Sequence, residues 1–335
     1  MRATVALVET RPETIGEDME RVLKLAGFDP PSAPSARLVA TAGPAGGWFP
    51  GAATTPWQAA AAGARFTAGD PPLVFVMDEM GRPVSRPDPA LAAGLLADGA
   101  VLAEPRAWAR RPVRPVADLP LLTRLLDGDL SVPAGLYGEP LVLLPTPVIG
   151  GGWPLAGAVA LLARLLAPAR GRRWRGPPAE YLVEVVRLAR EVLHVTGALL
   201  DGTMWTVRSG AGRRDALQGN VLVAGRDPVA VDAVACRMAG GDPARVPWLR
   251  TCAAAGIGAG DPRDIRLVGR TDLQNLGLAV PRRLLEPAPR LAPSHALADA
   301  AWRWLRRPAA LRRQRGSAWV RLHRTGRGAD SAGDP

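Results

Sequence analysis

The chain is poor in the side chains that metal, redox and proton-transfer chemistry use, with two cysteines and three histidines in 335 residues. Cys236 and Cys252 form neither a pair of C-x-x-C units nor a disulfide framework. Both read as buried thiols, and no iron–sulfur cluster is expected from this chain alone. Lysine is nearly missing too, Lys24 being the only one, so the positive charge is almost entirely arginine. No uncharged apolar run reaches the roughly 18 residues a membrane-spanning helix needs. The opening, MRATVALVETRPE, has too short an apolar stretch for a signal peptide and reads as a first strand, with a cytoplasmic location expected.

What the chain does have is core-forming material: 47% of its residues are hydrophobic, enough to bury a substantial interior. Proline and glycine gather between residues 29 and 72 and again after Pro281, where irregular structure is expected. The net charge of +11 is uneven, because nine arginines and three acids beyond Arg290 account for +6 of it. The chain therefore divides into residues 1–285, an α/β domain, and a basic Arg/Trp-rich tail, 286–335. In the tail, Ser294 can cap a helix carrying Leu297, Ala301, Trp304 and Leu305 on one side, with Arg303, Arg306 and Arg307 around it. That pattern fits docking on the body, a solvated basic tail, a membrane surface or a nucleic-acid backbone.

Along the body, apolar runs at 3–9, 73–78, 100–103, 140–145, 197–202, 220–225 and 265–269 predict strands. Between them, periodicity predicts helices at 14–27, where Thr14 and Glu17 form a capping box, near 57–64, and at 88–97 and 154–166. Further helices are predicted at 179–194, with His194 at its end, from Pro228, and over PARVPWLRTCAAAG. Alternation of apolar strands with helices predicts a mainly parallel sheet covered by helices on both faces, followed by the basic helical C-terminal extension.

Two aspartates stand out in NVLVAGRDPVAVDAVACRMAG, residues 220–240. Asp227 precedes Pro228 and should cap the helix that follows. Asp232 lies in a helix apolar on every face, so its carboxylate must be paired, hydrogen-bonded or protonated. The expected partner is the stretch 201–219, which offers Asp201, Gly202, Gly210, Gly212, Arg213 and Arg214 between two strands. In one reading these residues, with Asp227 and Asp232, surround an anionic group or a metal, Asp232 being the candidate metal ligand; in the other, Asp232 pins the loop. GIGAGD (256–261) follows a helix and precedes a strand, so its glycines turn the chain rather than cradle a phosphate.

From Leu199 to Gly269 the chain resembles the domain-of-unknown-function family 362. The resemblance rests on Asp201-Gly202, on Gly210-Ala211-Gly212-Arg213, on the run from Val223 to Ala233, on Met238 to Pro243 and on Gly256 to Asp261. After the strand ending at Pro145, members of that family carry Lys-Thr-His, then Lys-Asn, then histidines. Here Val148, Ile149 and Gly150 stand at the first set, Ala160 and Leu161 at the second, and Arg175 and Ala179 near the last. The resemblance thus implies a divergent protein that binds a small anionic or apolar ligand, or a catalytically impaired one. Alternatives are an active, metal-dependent enzyme on a small anionic substrate, clamped by Arg213 and Arg214, and a non-enzymatic protein partner in a redox or cofactor-assembly system.

Overall fold

A computed structural model describes residues 2–28, 36–43, 51–66, 71–78, 81–87, 91–92, 99–150, 153–166, 179–209, 213–278, 280 and 317–325. The predicted helix 88–97, the glycine turn at 150–152, Arg175 and the tail apart from 317–325 fall wholly or mostly outside them.

The strands are β1 (Ala3–Glu9), β2 (Arg37–Gly43), β3 (Leu73–Asp78), β4 (Val101–Leu102), β5 (Arg110–Pro112), β6 (Ser131–Pro133), β7 (Pro140–Leu144), β8 (Val148–Gly150), β9 (Trp153–Ala156), β10 (His194–Ser209), β11 (Arg213–Gly225) and β12 (Ile265–Gly269). The helices are α1 (Ile15–Leu25), α2 (Pro56–Phe66), α3 (Pro120–Leu125), α4 (Ala158–Leu166), α5 (Ala179–Val192), α6 (Pro228–Met238), α7 (Pro247–Ala254) and α8 (Ala318–Thr325). Ten strands form one sheet in the order β12-β1-β11-β10-β7-β2-β3-β4, with β8 on β10 and β9 on β8. The sheet is α/β as expected but mixed. Most pairings are parallel, whereas β11 runs antiparallel to both β1 and β10.

Strand alternation sorts the core into two layers. Leu7, Leu200 and Val223 face α4, α5, α6 and α7, while Val8, Leu199 and Leu222 face α1 and α2. Helices therefore cover both faces, as the continuously apolar strands require.

Several local expectations change. The segment 29–72, expected to be irregular, supplies β2, which lies inside the sheet between β7 and β3. The loop expected between 202 and 220 is a hairpin, because β10 runs on to Ser209 and β11 begins at Arg213. A bulge sets Thr203 opposite Gly219 and Asn220, and Asn220 takes a left-handed conformation with φ of 52°. Residues 153–156 form β9, so α4 starts four residues later than predicted, at Ala158. At α1 the capping box does not form, since the Thr14 hydroxyl donates instead to Asp18 Oδ2 at 2.6 Å. His194 opens β10 rather than closing α5.

Helix α4 is deeply enclosed, with all of its apolar side chains buried. A helix so placed has no water for its terminal amides and carbonyls, so the protein must provide partners. At its C-terminal end Arg110 does so, with Nη1 donating to Leu165 O at 3.0 Å and Nη2 to Leu166 O at 2.7 Å. A guanidinium there also complements the negative end of the helix dipole. Replacing Arg110 with Met should cost about 1–3 kcal/mol, because two buried carbonyls lose their donors; denaturant melts of the pair measure it, and an unchanged midpoint contradicts the assignment.

Candidate functional site

Asp232 is fully buried, as its apolar helix required, but its company is not the 201–219 stretch. Its carboxylate accepts from Ala158 N at 2.7 Å and Val159 N at 3.0 Å, the first amides of α4. The expected pairing is corrected to a helix N-terminus 74 residues away in sequence. Gly157 makes room for it, since a Cβ there would stand 2.0 Å from Asp232 Oδ1. Desolvation, with Asp227 adding to it, pushes the Asp232 pKa up to about 7 against the stabilising pull of the two amides. Amides and the positive end of a helix dipole around both oxygens favour a negative charge there and disfavour a cation.

Asp227 caps α6 as its sequence promised. Its Oδ1 accepts from Val229 N at 2.8 Å and Ala230 N at 3.3 Å, while Oδ2 accepts from Ala259 N at 2.7 Å. The last bond ties the GIGAGD turn to the start of α6, which gives that turn a structural purpose.

Asp201 lies in β10 on the opposite face of the sheet from Asp232, towards α2, and is 1% exposed. Oδ2 accepts from the Thr55 hydroxyl at 2.6 Å and from Trp57 Nε1 at 2.7 Å, and Oδ1 accepts from Thr203 N at 2.8 Å. Around it, Thr54 Oγ1 donates to Leu144 O at 2.9 Å and Gln58 Nε2 donates to Leu199 O and Pro145 O. Burial raises the Asp201 pKa, and its hydrogen bonds oppose the shift. The node sits at the carboxyl ends of β2 and β7, the rim of a parallel sheet where ligands usually bind. Sequence reading missed Thr54, Thr55 and Gln58, although Thr-Thr-Pro before an alanine-rich run is a helix-start signal.

Of the remaining candidates, Gly202 lies in β10 beside the bulge, packed against Val221 and accepting from Trp205 Nε1 at 3.0 Å. Arg213 and Arg214 begin β11, paired in register with Ser209 and Arg208. Gly210 and Gly212 lie outside the described residues. Asp201 and Asp232 are therefore not brought together; the sheet separates them. Among the described residues, no three His, Cys, Asp or Glu side chains are grouped to hold a metal.

At the other rim, where β10 begins and β11 ends, a cavity of about 360 Å³ opens between α4, α5 and α6. Leu162, Val186, Ala189, Leu193 and Val229 give it an apolar floor, and Arg190, His194, Arg226 and Asp227 line its polar side. The Asp227 charge is already shared among three amides. Arg190 Nη1 donates to Ile257 O at 3.0 Å, and the Arg226 guanidinium bonds Gly27 O and lies over Phe28, 5.9 Å from its ring centre. Neither guanidinium forms an ion pair with a described residue. Sequence reading named none of Arg190, His194 and Arg226 as binding residues, because Arg226 lies in a different segment from the other two and nothing in the sequence marks the two segments as neighbours.

Comparison with protein-family models, with curated proteins and with solved structures finds no match for the chain.

Asp232 generates a pH test. Its folded pKa of about 7 lies above the ordinary 3.8, so the folded state holds this proton more tightly than the unfolded chain. Stability from the site is fully present below about pH 4 and lost as pH rises through 7. In Asp232→Asn, the amide NH₂ meets a backbone N–H, costing about 1–3 kcal/mol. The stability gap between wild type and variant should narrow from pH 4 to 8 in urea melts; a gap that widens contradicts the assignment.

Proposed function

We propose that the protein binds a small organic anion in the cavity between α4, α5 and α6, as a divergent protein of the family-362 type. The observation that carries this reading is two arginines without ion-pair partners among the described residues, lining the polar side of an apolar-floored cavity. Its volume lies in the range of small-molecule sites. An apolar floor with guanidiniums and an imidazole beside it suits a ligand with an apolar body and a single anionic head, because each part then meets its own kind.

The family reading is supported by how its motif packs. Asp227-Pro228 starts α6, Asp232 reaches out from its middle, and the GIGAGD turn closes on Asp227. The part of the motif from Asp227 to the GIGAGD turn therefore forms one structural unit beside the cavity, while Asp201-Gly202 lies across the sheet. At the positions of the family's two lysines, Val148 and Ala160 are buried against each other. That contact leaves no cationic or proton-transferring side chain at either position. Buried, unpaired Cys236 and Cys252 accord with a reducing, cytoplasmic compartment. No helix among the described residues is long and apolar enough to cross a membrane.

Titration calorimetry with a panel of aliphatic and aromatic monocarboxylates should detect binding by the wild type. Arg190→Ala with Arg226→Ala should weaken it at least tenfold while circular dichroism stays the same. Absence of binding at millimolar ligand, or equal affinity in the double variant, overturns the reading.

A further inference from the structure

Asp227 lines the cavity together with Arg190 and Arg226, and its bonds decide what an anion there can use. Pro228 has no N–H, the amides of Val229 and Ala230 are bound to Asp227 Oδ1, and Val231 N donates to Asp227 O at 3.1 Å. The first turn of α6 therefore offers no free amide to a ligand. Asp227 Oδ2 is tied to Ala259 N, so the carboxylate is fixed from both sides without pairing to either arginine.

Two negative features thus share the cavity with the two guanidiniums. One is the Asp227 carboxylate, whose field reaches its neighbours: desolvation raises the pKa of Asp232 and of Cys252, and the Asp227 charge raises both further. The other is the last turn of α5, where Ala189 and Arg190 line the wall and the negative end of the helix dipole lies. Two guanidiniums and one carboxylate leave a single positive charge for a ligand to balance. A second negative charge on the ligand's head would have no partner, and an unpaired charge beside an apolar floor is costly.

We propose that Asp227 sets the charge of the ligand: the cavity takes an amphiphile whose head carries one negative charge, such as an alkyl carboxylate or sulfonate, and rejects a doubly charged head such as a phosphate monoester. The inference rests on the anion site proposed above and adds the repulsive element that makes it selective. Arg190 and Arg226 attract the head, and Asp227 limits its charge. The aliphatic floor takes the tail whatever the head.

Titration calorimetry of the full chain at pH 8 with heptanoate, hexanesulfonate and hexyl phosphate, each a hexyl chain on a different head, tests the charge limit. The phosphate monoester carries close to two charges at that pH, its second pKa being about 6, and the other two carry one. Heptanoate and hexanesulfonate should bind within threefold of each other, and hexyl phosphate at least tenfold more weakly. In Asp227→Asn, which keeps a helix-capping side chain, the gap between hexyl phosphate and hexanesulfonate should close to within threefold. Hexyl phosphate bound by the wild type as tightly as the sulfonate overturns the proposal and leaves the anion site standing. A sulfonate as weak as the phosphate does the same, because head shape then decides, and so does an unchanged gap in the variant. No binding of any of the three overturns the anion site and this proposal together. Should Asp227→Asn not fold, Asp227→Ser, also a cap former, takes its place, and the wild-type ratios decide in either case.

Discussion

A wholly buried helix must find partners for its unsatisfied ends inside the protein, and most of the α4–α7 side of the molecule is arranged around that need. The carboxylate of Asp232 takes the first amides of α4 and the guanidinium of Arg110 takes its last carbonyls. Each charge matches the dipole end it faces. The arrangement fixes α4 along its axis, and with it the floor that Leu162 gives to the cavity. It also fixes α6, since Asp232 can reach Ala158 and Val159 only from one depth in its own helix. Gly157 is part of the same device, because any side chain there would displace the carboxylate.

The same solution recurs nearby. Glu184, buried in α5, accepts from Leu121 N and Leu122 N at the start of α3. Glu191 accepts from Val116 N and Ala117 N just before it. Acidic side chains in this layer thus hold the starts of neighbouring helices. A buried acid in such a protein is weak grounds for catalysis until its oxygens have been accounted for, and here those of Asp227 and Asp232 are. Asp201 is accounted for as well, but two of its three donors are side chains, those of Thr55 and Trp57.

Legibility in the sequence followed the range of the interaction. Asp227 as a cap could be read because Pro228 and the amides it serves are its neighbours in the chain. Burial of Asp232 could be read because its helix is apolar all round. The identity of its partner could not, because nothing in either segment marks two stretches 74 residues apart as neighbours. The same holds for Asp201, whose Thr55 and Trp57 partners are 146 and 144 residues away. Strand β2 was hidden for another reason: RLVATAG has a short apolar core inside a proline- and glycine-rich region, and its strand state comes from being flanked by β7 and β3. The long hairpin was hidden because Gly202, Gly219 and Asn220 look like a loop, whereas they form a bulge that the strands pass through.

Reversal of β11 has a wider effect. In an all-parallel sheet every following helix starts on the same side, which makes one pole of the molecule electropositive. Because β11 points the other way, α6 begins at the opposite pole from α1 and α2. Helix starts therefore lie at both poles of the sheet, and their positive dipole ends are divided between the two.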